Sequence, residues 1–343
     1  MRCTRREALA HMAAVSGAIA APQVLASGIA RADDKTILMK ISAPTINDVP
    51  DTFGKYLGAA LEKHSGGRFK IEVYPASQLG SIPRQIEGTQ FGAIQCEDVP
   101  PEFMVGLDDR YQVMAAPGLV DSQAHGERVA ADPAVRKLML GLGADKGLRG
   151  IALFMAEPSA VICRTPIRRL EDFKGKKLRI FASPFQSVAF EKLGVTPVAM
   201  SLGDVLPALQ QGAIDGAVAG MGPFTNFHFN DAAKFVTLTG QPAIFIIAVV
   251  NLKWFEALPP DLQSMLLKDA TEQSVAINSF ARNLRKEAEK RWVDNGGELI
   301  KLSSEDQAAF IKTVGGVAAE VSKSKPELAQ AYQIVADAAA RLR

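Results

Sequence analysis

Strand-like and helix-like segments alternate twice along this 343-residue chain, and this rhythm narrows the possible folds more than any other pattern in it. In the first run, strand patterns occupy 36–42, 69–74 and 93–96, and helical patterns occupy 51–64 and 82–91. In the second run, strand patterns occupy 177–181, 197–200 and 214–219, and helical patterns occupy 184–193 and 203–211. Such alternation is typical of parallel sheets with right-handed crossovers. We therefore predict two α/β units, with a boundary near Glu157.

A long helical pattern begins at Pro259-Pro260-Asp261 and continues to Asn295-Gly296-Gly297. Proline is tolerated in a first helical turn, and an acid there complements the helix dipole. A helix of this length would extend roughly 50 Å, farther than one such unit is wide. We predict a brace across both units, and two helices broken near 278–279 are the alternative. A buried strand at 243–250 precedes it, and helices at 303–321 and 326–343 follow.

The N-terminus has the pattern of an export signal. Arg5 and Arg6 precede a small and apolar stretch at 12–26, and Ala30-Arg31-Ala32 gives a small-x-small cleavage site. We predict a signal peptide over 1–32, of the twin-arginine type, and a periplasmic location. A membrane anchor is the alternative, but the stretch is too short and too rich in small residues for a span of about 20 residues. We expect no stable membrane insertion.

Net charge limits the classes of binding partner, and the cysteine content limits the possible disulfides. Loss of residues 1–32 removes four arginines and one glutamate, so that 39 basic and 37 acidic residues become 35 and 36. A chain so close to neutral gives no electrostatic reason to expect nucleic acid or anionic lipid as a partner. Cys96 and Cys163 remain, and they are either buried free thiols or, in an oxidising compartment, a disulfide.

Arg179 is the first candidate binding residue, because it comes at the end of the strand predicted at 177–181. In an open α/β sheet the carboxyl ends of the strands face the ligand crevice. A planar guanidinium that is always charged can bind a carboxylate through two parallel hydrogen bonds. We predict that Arg179 binds a carboxylate ligand, and a structural salt bridge is the alternative.

Enzymatic motifs are absent from the sequence. The histidines are isolated, and the chain has no His-x-x-His, Cys-x-x-Cys, Gly-x-Ser-x-Gly or Gly-x-Gly-x-x-Gly pattern. We therefore predict a binding protein with no catalytic residue, no metal and no cofactor. A periplasmic cofactor-dependent enzyme and a sensor that presents its ligand to a signalling partner are the alternatives.

Five motifs follow one another over nearly the whole chain after the signal. They are PASQLG at 75–80, LEDFKGKKLR at 170–179, GVTPV at 194–198, ALQQGAIDG at 208–216 and WFEALPPDLQ at 254–263. In order and spacing the chain resembles the substrate-binding proteins of tripartite ATP-independent periplasmic (TRAP) transporters. The resemblance implies an α/β clamshell of two lobes with a long bridging helix. It also implies that Arg179 binds the carboxylate of a small organic acid, which the protein delivers to TRAP membrane subunits.

On this pattern lobe 1 would comprise 33–156 and lobe 2 would comprise 157–242. Residues 243–343 would supply a return strand to lobe 1, the bridging helix and the C-terminal helices. Besides Arg179, the residues expected to face the ligand lie near predicted strand ends or in matching motifs: Phe181, Arg164, Leu202, Ala219, Met221, Phe224, Asp98 and Gln78. Two of these have alternatives, since Arg164 is either a pocket or a hinge residue and Asp98 is either a ligand contact or a rim charge.

Two departures from the family pattern bear on the ligand. Family members that bind sialic acid or dicarboxylates have Gln-Glu-Asn-Pro where this chain has Ala217-Val218-Ala219-Gly220. The second family arginine is also missing, because Glu157, Pro158 and Ser159 occupy its place. Since burying a polar group without a partner costs about 1–3 kcal/mol, a less polar pocket favours a less polar ligand. We predict a monocarboxylate with an apolar body, such as an aromatic or branched-chain 2-oxo or hydroxy acid.

Overall fold

The computed structural model describes residues 36–343, so the predicted signal peptide lies outside the described residues. The strands are β1 (Ile37–Ser42), β2 (Phe69–Tyr74), β3 (Cys96–Val99), β4 (Leu148–Pro158), β5 (Ala160–Cys163), β6 (Lys177–Ile180), β7 (Thr196–Ala199), β8 (Gly216–Ala219), β9 (Phe235–Thr237), β10 (Ala243–Asn251) and β11 (Glu298–Ile300). The α-helices are α1 (Val49–His64), α2 (Ile82–Gln90), α3 (Gln123–Ala131), α4 (Pro133–Gly141), α5 (Pro184–Lys192), α6 (Val205–Gln210), α7 (Met221–Asn226), α8 (Leu252–Glu256), α9 (Pro260–Asp294), α10 (Ser304–Val314), α11 (Val317–Ser322) and α12 (Pro326–Arg341).

These strands form two sheets, and each sheet is the centre of one lobe. Lobe 1 is built on five strands in the order β2-β1-β3-β10-β4, and lobe 2 on six strands in the order β11-β9-β5-β8-β6-β7. In lobe 1, β1 pairs in parallel with β2 and β3, whereas β10 returns to pair antiparallel with β3 and β4. The predicted α/β clamshell of two lobes is thus confirmed. Its boundaries at 33–156, 157–242 and 243–343 stay predictions.

Helix α9 joins the two lobes as one continuous helix of 35 residues. Its buried positions recur every three or four residues, so a single stripe faces the protein. The first half of this stripe, including Leu262 and Ile277, packs into the core of lobe 1. The last turns, with Ala288 and Trp292, pack into the core of lobe 2. The bridging helix is therefore confirmed, and the alternative of a break near 278–279 is wrong.

Two element boundaries differ from the sequence prediction for local reasons. The third strand begins at Cys96 rather than at 93, because α2 ends in a turn around Gly92, whose φ is 82°, and the amides of Ala93 and Ile94 bond to the carbonyl of Gly88. The helix predicted at 303–321 is two helices, because Gly315 and Gly316 separate α10 from α11. Glycine is less favourable than alanine within a helix by about 1 kcal/mol.

Both cysteines are buried free thiols. Cys96 lies in β3 of lobe 1 and Cys163 lies in β5 of lobe 2. The alternative in which they form a disulfide is therefore wrong.

Candidate ligand-binding cavity

A cavity lies between the lobes where the carboxyl ends of strands from both sheets meet. Segments that follow β1 and β3 line it from lobe 1, and segments that follow β6 and β8 line it from lobe 2. Its empty volume is ≈ 450 Å³, which includes solvent space at its mouth. Only four of the seventeen lining residues have polar side chains: the lining consists of Pro44, Thr45, Asp48, Pro50, Ile82, Pro100, Phe103, Ala156, Glu157, Arg179, Phe181, Leu202, Ala219, Gly220, Pro223, Ile244 and Ile246.

Arg179 supplies the positive charge of this cavity. It lies in β6 and its side chain is fully buried, with 0% exposure. Its Nε donates to the carbonyl oxygen of Met200 at 3.0 Å, and its Nη1 donates to that of Val218 at 2.8 Å. Its Nη2 has no hydrogen-bond partner among residues 36–343. Two backbone carbonyls thus fix the guanidinium and leave its outer edge free to donate to a ligand.

The surroundings of Arg179 are aromatic rather than acidic. Its guanidinium carbon lies 4.7 Å from the ring centre of Phe181 and 5.9 Å from that of Phe103. No carboxylate in the described part of the chain forms an ion pair with it. Burial lowers the pKa of Arg179 to about 9, so the side chain still carries its charge at neutral pH. The predicted alternative of a structural salt bridge is therefore not what the structure shows.

Glu102 is the acid whose charge acts most on Arg179, and it is itself fully buried. Burial raises the pKa of Glu102 to about 8, although the positive charge of Arg179 acts in the opposite direction. A carboxyl group with this pKa is mostly protonated at neutral pH. Glu102 therefore does not neutralise Arg179 under those conditions.

An acid pair, Asp48 and Glu157, occupies another part of the lining. Glu157 lies near the end of β4 in lobe 1, and its Oε2 and Oε1 accept hydrogen bonds from the amides of Met221 at 2.8 Å and Gly222 at 3.2 Å in lobe 2. Burial raises the pKa of Asp48, and burial together with the charge of Asp48 raises the pKa of Glu157. With a pKa of about 6 Asp48 is mostly ionised at neutral pH, whereas Glu157, with a pKa of about 7, is only partly ionised. Glu157 also connects the two lobes.

Glycine is required where this acid pair meets α7. A Cβ atom at Gly220 would lie 1.8 Å from Oε1 of Glu157, and one at Gly222 would lie 2.6 Å from Oδ1 of Asp48. Any side chain at Gly220 would therefore displace the carboxyl group of Glu157.

The structure brings together some of the predicted site residues. Phe181, Leu202 and Ala219 line the cavity with Arg179. Met221 and Phe224 do not: both are completely buried in the core of lobe 2, and the ring of Phe224 packs against Trp292 of α9 with centroids 6.4 Å apart. They follow the end of β8 as expected, but α7 turns their side chains away from the cavity.

The remaining three predicted residues lie outside the lining. Arg164 forms an exposed ion pair with Asp215 at 3.1 Å, so its guanidinium is held at the surface of lobe 2. Asp98 lies within β3 instead of after it, and its carboxyl group faces α1 near Gly54. Gln78 is exposed in the loop after β2, an edge strand of the lobe 1 sheet. For these residues the structure therefore gives a different placement from the one expected.

Sequence reasoning did not select Thr45, Asp48, Phe103 or Glu157 as lining residues. Thr45 and Asp48 follow the carboxyl end of β1, so the strand-end rule that selected Arg179 would have found them. The sequence places Glu157 at the boundary of the two units and, with Pro158 and Ser159, where a family arginine is expected, but it does not predict that Glu157 lines the cavity. Its part in the site depends on contacts with α7, which is distant in the sequence.

Two lobes, a bridging helix and a buried arginine in the cavity between them define a two-lobed solute-binding protein. The sequence profile described as bacterial extracellular solute-binding protein, family 7, matches residues 44–325. The chain belongs to this family, which comprises periplasmic receptors of TRAP transporters. No helix within residues 36–343 has both the length and the apolar character to cross a membrane.

Relatives and solved structures agree with this assignment. The chain is 27% identical over 293 residues to the C4-dicarboxylate-binding periplasmic protein DctP of Rhodobacter capsulatus, covering 84% of this chain and 87% of the relative. It is 26% identical over 310 residues to the 2,3-diketo-L-gulonate-binding periplasmic protein YiaO of Escherichia coli, covering 90% and 89%. A TRAP periplasmic solute-binding protein from Desulfovibrio salexigens, solved with bound orotic acid, superposes with a TM-score of 0.84 at 20% identity, covering 89% of this chain and 99% of that one. The structural similarity supports the fold.

Proposed function

We propose that this protein is a receptor that closes on a small organic acid and binds its carboxylate through Arg179. The observation that carries the proposal is the free edge of that guanidinium. Nη2 is buried without a partner in the described chain, and it belongs to a residue that lines the cavity. A buried charge without a partner is costly, and a bound carboxylate would supply the missing partner.

We further propose that the ligand is a monocarboxylate with an apolar body. Phe103, Phe181 and Leu202 would contact that body, and Ala219 offers no side-chain hydrogen bond. Relatives with names that specify a C4-dicarboxylate or 2,3-diketo-L-gulonate make polar acids the competing ligands. A sugar acid carries several hydroxyl groups, and most of this lining could not pair with them. An apolar body fits better because an unpaired buried hydroxyl costs about 1–3 kcal/mol.

Thermal unfolding of the exported protein, freed of bound ligand by unfolding and refolding, tests this proposal. The panel should contain aromatic and branched-chain 2-oxo and hydroxy acids, C4-dicarboxylates and hexuronates. A ligand present at a hundredfold excess over its Kd stabilises the folded state by about 2.7 kcal/mol. We expect the apolar monocarboxylates to raise Tm most. Stabilisation by sugar acids or C4-dicarboxylates alone would contradict the proposed ligand class.

We also propose that the receptor delivers its ligand to TRAP membrane subunits. The family membership of the chain supports this step. Uptake of the radiolabelled acid that stabilises the protein most, into proteoliposomes that contain TRAP membrane subunits of the same organism, would measure it. We expect uptake to require the receptor and an ion gradient. Uptake that proceeds equally well without the receptor would contradict the proposal.

A further inference from the structure

The acid pair gives the cavity a second charged pole that a simple carboxylic acid does not use. Both oxygens of Glu157 already accept backbone hydrogen bonds from lobe 2. Asp48 differs. The amide of Val49 and the hydroxyl of Thr45 act on its carboxyl group and lower its pKa, but its Oδ1 has no hydrogen-bond partner of normal geometry in residues 36–343, although the residue is only 4% exposed. Three buried polar atoms of the lining therefore lack a partner within residues 36–343: Oγ1 of Thr45, Oδ1 of Asp48 and Nη2 of Arg179. The two on charged groups are an acceptor on Asp48 and a donor on Arg179.

The charges around Asp48 do not compensate it. No lysine or arginine of the described chain forms an ion pair with Asp48. The acids that act on its charge are Asp51 on α1 and Glu157 on β4. Arg285 on α9 acts on Glu157, but it also bonds to Glu289 and to the carbonyl of Pro158. A buried acid in such surroundings is stabilised by any cation that a ligand brings to it.

We infer that the ligand is a small zwitterion, with its carboxylate on Arg179 and a protonated amine donating to Asp48. This inference rests on the proposed function, because it assigns the other end of the same ligand. The apolar lining between the poles, including Phe181 and Leu202, would then cover the carbon skeleton. A metal ion would be a different occupant, but residues 36–343 contain no group of three or more His, Cys, Asp or Glu side chains placed to hold one. An amine needs only one carboxylate with a free acceptor, which Asp48 provides.

Matched ligand pairs test the inference directly. Isothermal titration at neutral pH should compare leucine and phenylalanine with the 2-hydroxy acids of the same skeleton. It should also compare straight-chain acids of three to six carbons with their ω-amino counterparts, because the chain length preferred would report the separation of the two poles. We expect the best amine to bind about 30-fold more tightly than its partner without nitrogen, since an unpaired buried charge is then neutralised.

Two variants separate a ligand contact from a structural effect. Asp48→Asn keeps the size and one acceptor but removes the charge, so we expect it to abolish the preference for the amine over the hydroxy acid of the same skeleton. Asp98→Asn is the matched control, because Asp98 is also a buried acid of lobe 1 but does not line the cavity. It should leave the preference intact. Thermal unfolding without ligand verifies that each variant is folded.

The outcomes distinguish this inference from the proposed function. If hydroxy and oxo acids bind as tightly as their amino counterparts, the zwitterion is refuted and the carboxylate receptor stands. If an amine preference survives in Asp48→Asn, the assignment of Asp48 is refuted. If neither series binds and only sugar acids or dicarboxylates do, both the inference and the proposed ligand class fail. The wild-type comparison decides the first and third cases even if a variant does not fold.

Discussion

Replacement of Arg179 by alanine separates a ligand contact from a structural charge. In a liganded site its guanidinium would be one partner of a fully buried charge pair, because the residue is 0% exposed. Truncation of one partner of such a pair costs about 2–5 kcal/mol of binding. At about 1.4 kcal/mol per tenfold change, Kd should rise roughly 30-fold to several thousandfold.

The unliganded protein should respond much less to the same change. Alanine leaves the carbonyls of Met200 and Val218 without their side-chain donor, which is destabilising. It also removes a buried charge that has no acidic partner within residues 36–343, which is stabilising. Because these effects oppose one another, we expect the free energy of unfolding to change by about 2 kcal/mol or less.

Isothermal titration and denaturant unfolding on ligand-free protein measure the two quantities separately. Arg164→Ala is the matched control, since Arg164 belongs to the same lobe but forms an exposed ion pair with Asp215. An exposed pair contributes about 0–1 kcal/mol, so binding should not change. Arg179→Lys should bind more weakly than the wild type because lysine lacks the planar fork. A large loss of stability in Arg179→Ala with unchanged Kd would refute the assignment.

Two further changes test the cavity wall and the acid beside Arg179. Gly220→Ala should lower the free energy of unfolding by about 1–3 kcal/mol, because its Cβ would overlap the carboxyl group of Glu157. Gly203→Ala is the control, since no atom lies within 4 Å of its added Cβ, and thermal unfolding compares the two variants. Folded Glu102 keeps its proton up to a pKa of about 8, well above its unfolded value, so the stability of the wild type should fall as pH rises from about 4.5 through 8. Above pH 8 its ionised form should also compete for Arg179 and weaken ligand binding. Because Asp48 and Glu157 keep their raised pKa values and Arg179 keeps its lowered one, both slopes should be smaller in Glu102→Gln rather than absent, and slopes of equal size in the variant would contradict this reasoning.

The sequence predicted the fold well because local patterns of hydrophobic residues identify most of its strands and helices. The stripe of α9 repeats every three or four residues. The alternation of strand and helix predicted the parallel pairing of β1 with β2 and β3 and of β6 with β7 and β8, whereas β5 and β10 pair antiparallel with their neighbours. Two element boundaries, however, depend on glycines whose effect the sequence did not predict. Gly315 and Gly316 divide a helix that hydrophobicity alone would continue, and the turn at Gly92 moves β3 along the chain. That second shift is why Asp98 lies inside a strand rather than at its open end.

The lining of the cavity was harder to predict, because contacts between distant segments decide which side chains face it. Phe181 and Leu202 line it as expected. Phe224 is close in sequence to a lining residue, but its ring packs on Trp292, which lies 68 positions later on the bridging helix. Whether a side chain after a strand faces ligand or core is decided by such tertiary packing. A strand-end rule therefore identifies the neighbourhood of a site better than its individual members.

The resemblance to the family leads us to expect a second arginine in the place that Glu157, Pro158 and Ser159 occupy, and Glu157 changes more than the number of polar groups there. An arginine in that place would add positive charge to a cavity that already contains Arg179, and it would suit a second carboxylate. Glu157 instead accepts two amides of lobe 2 and places a negative charge beside Asp48. Because burial disfavours ionisation of both acids, and the charge of Asp48 adds to this effect on Glu157, a cation is the partner that stabilises them most. Glu157 therefore favours an amine at Asp48 over a second carboxylate, and it also holds α7 of lobe 2 against the end of β4 in lobe 1.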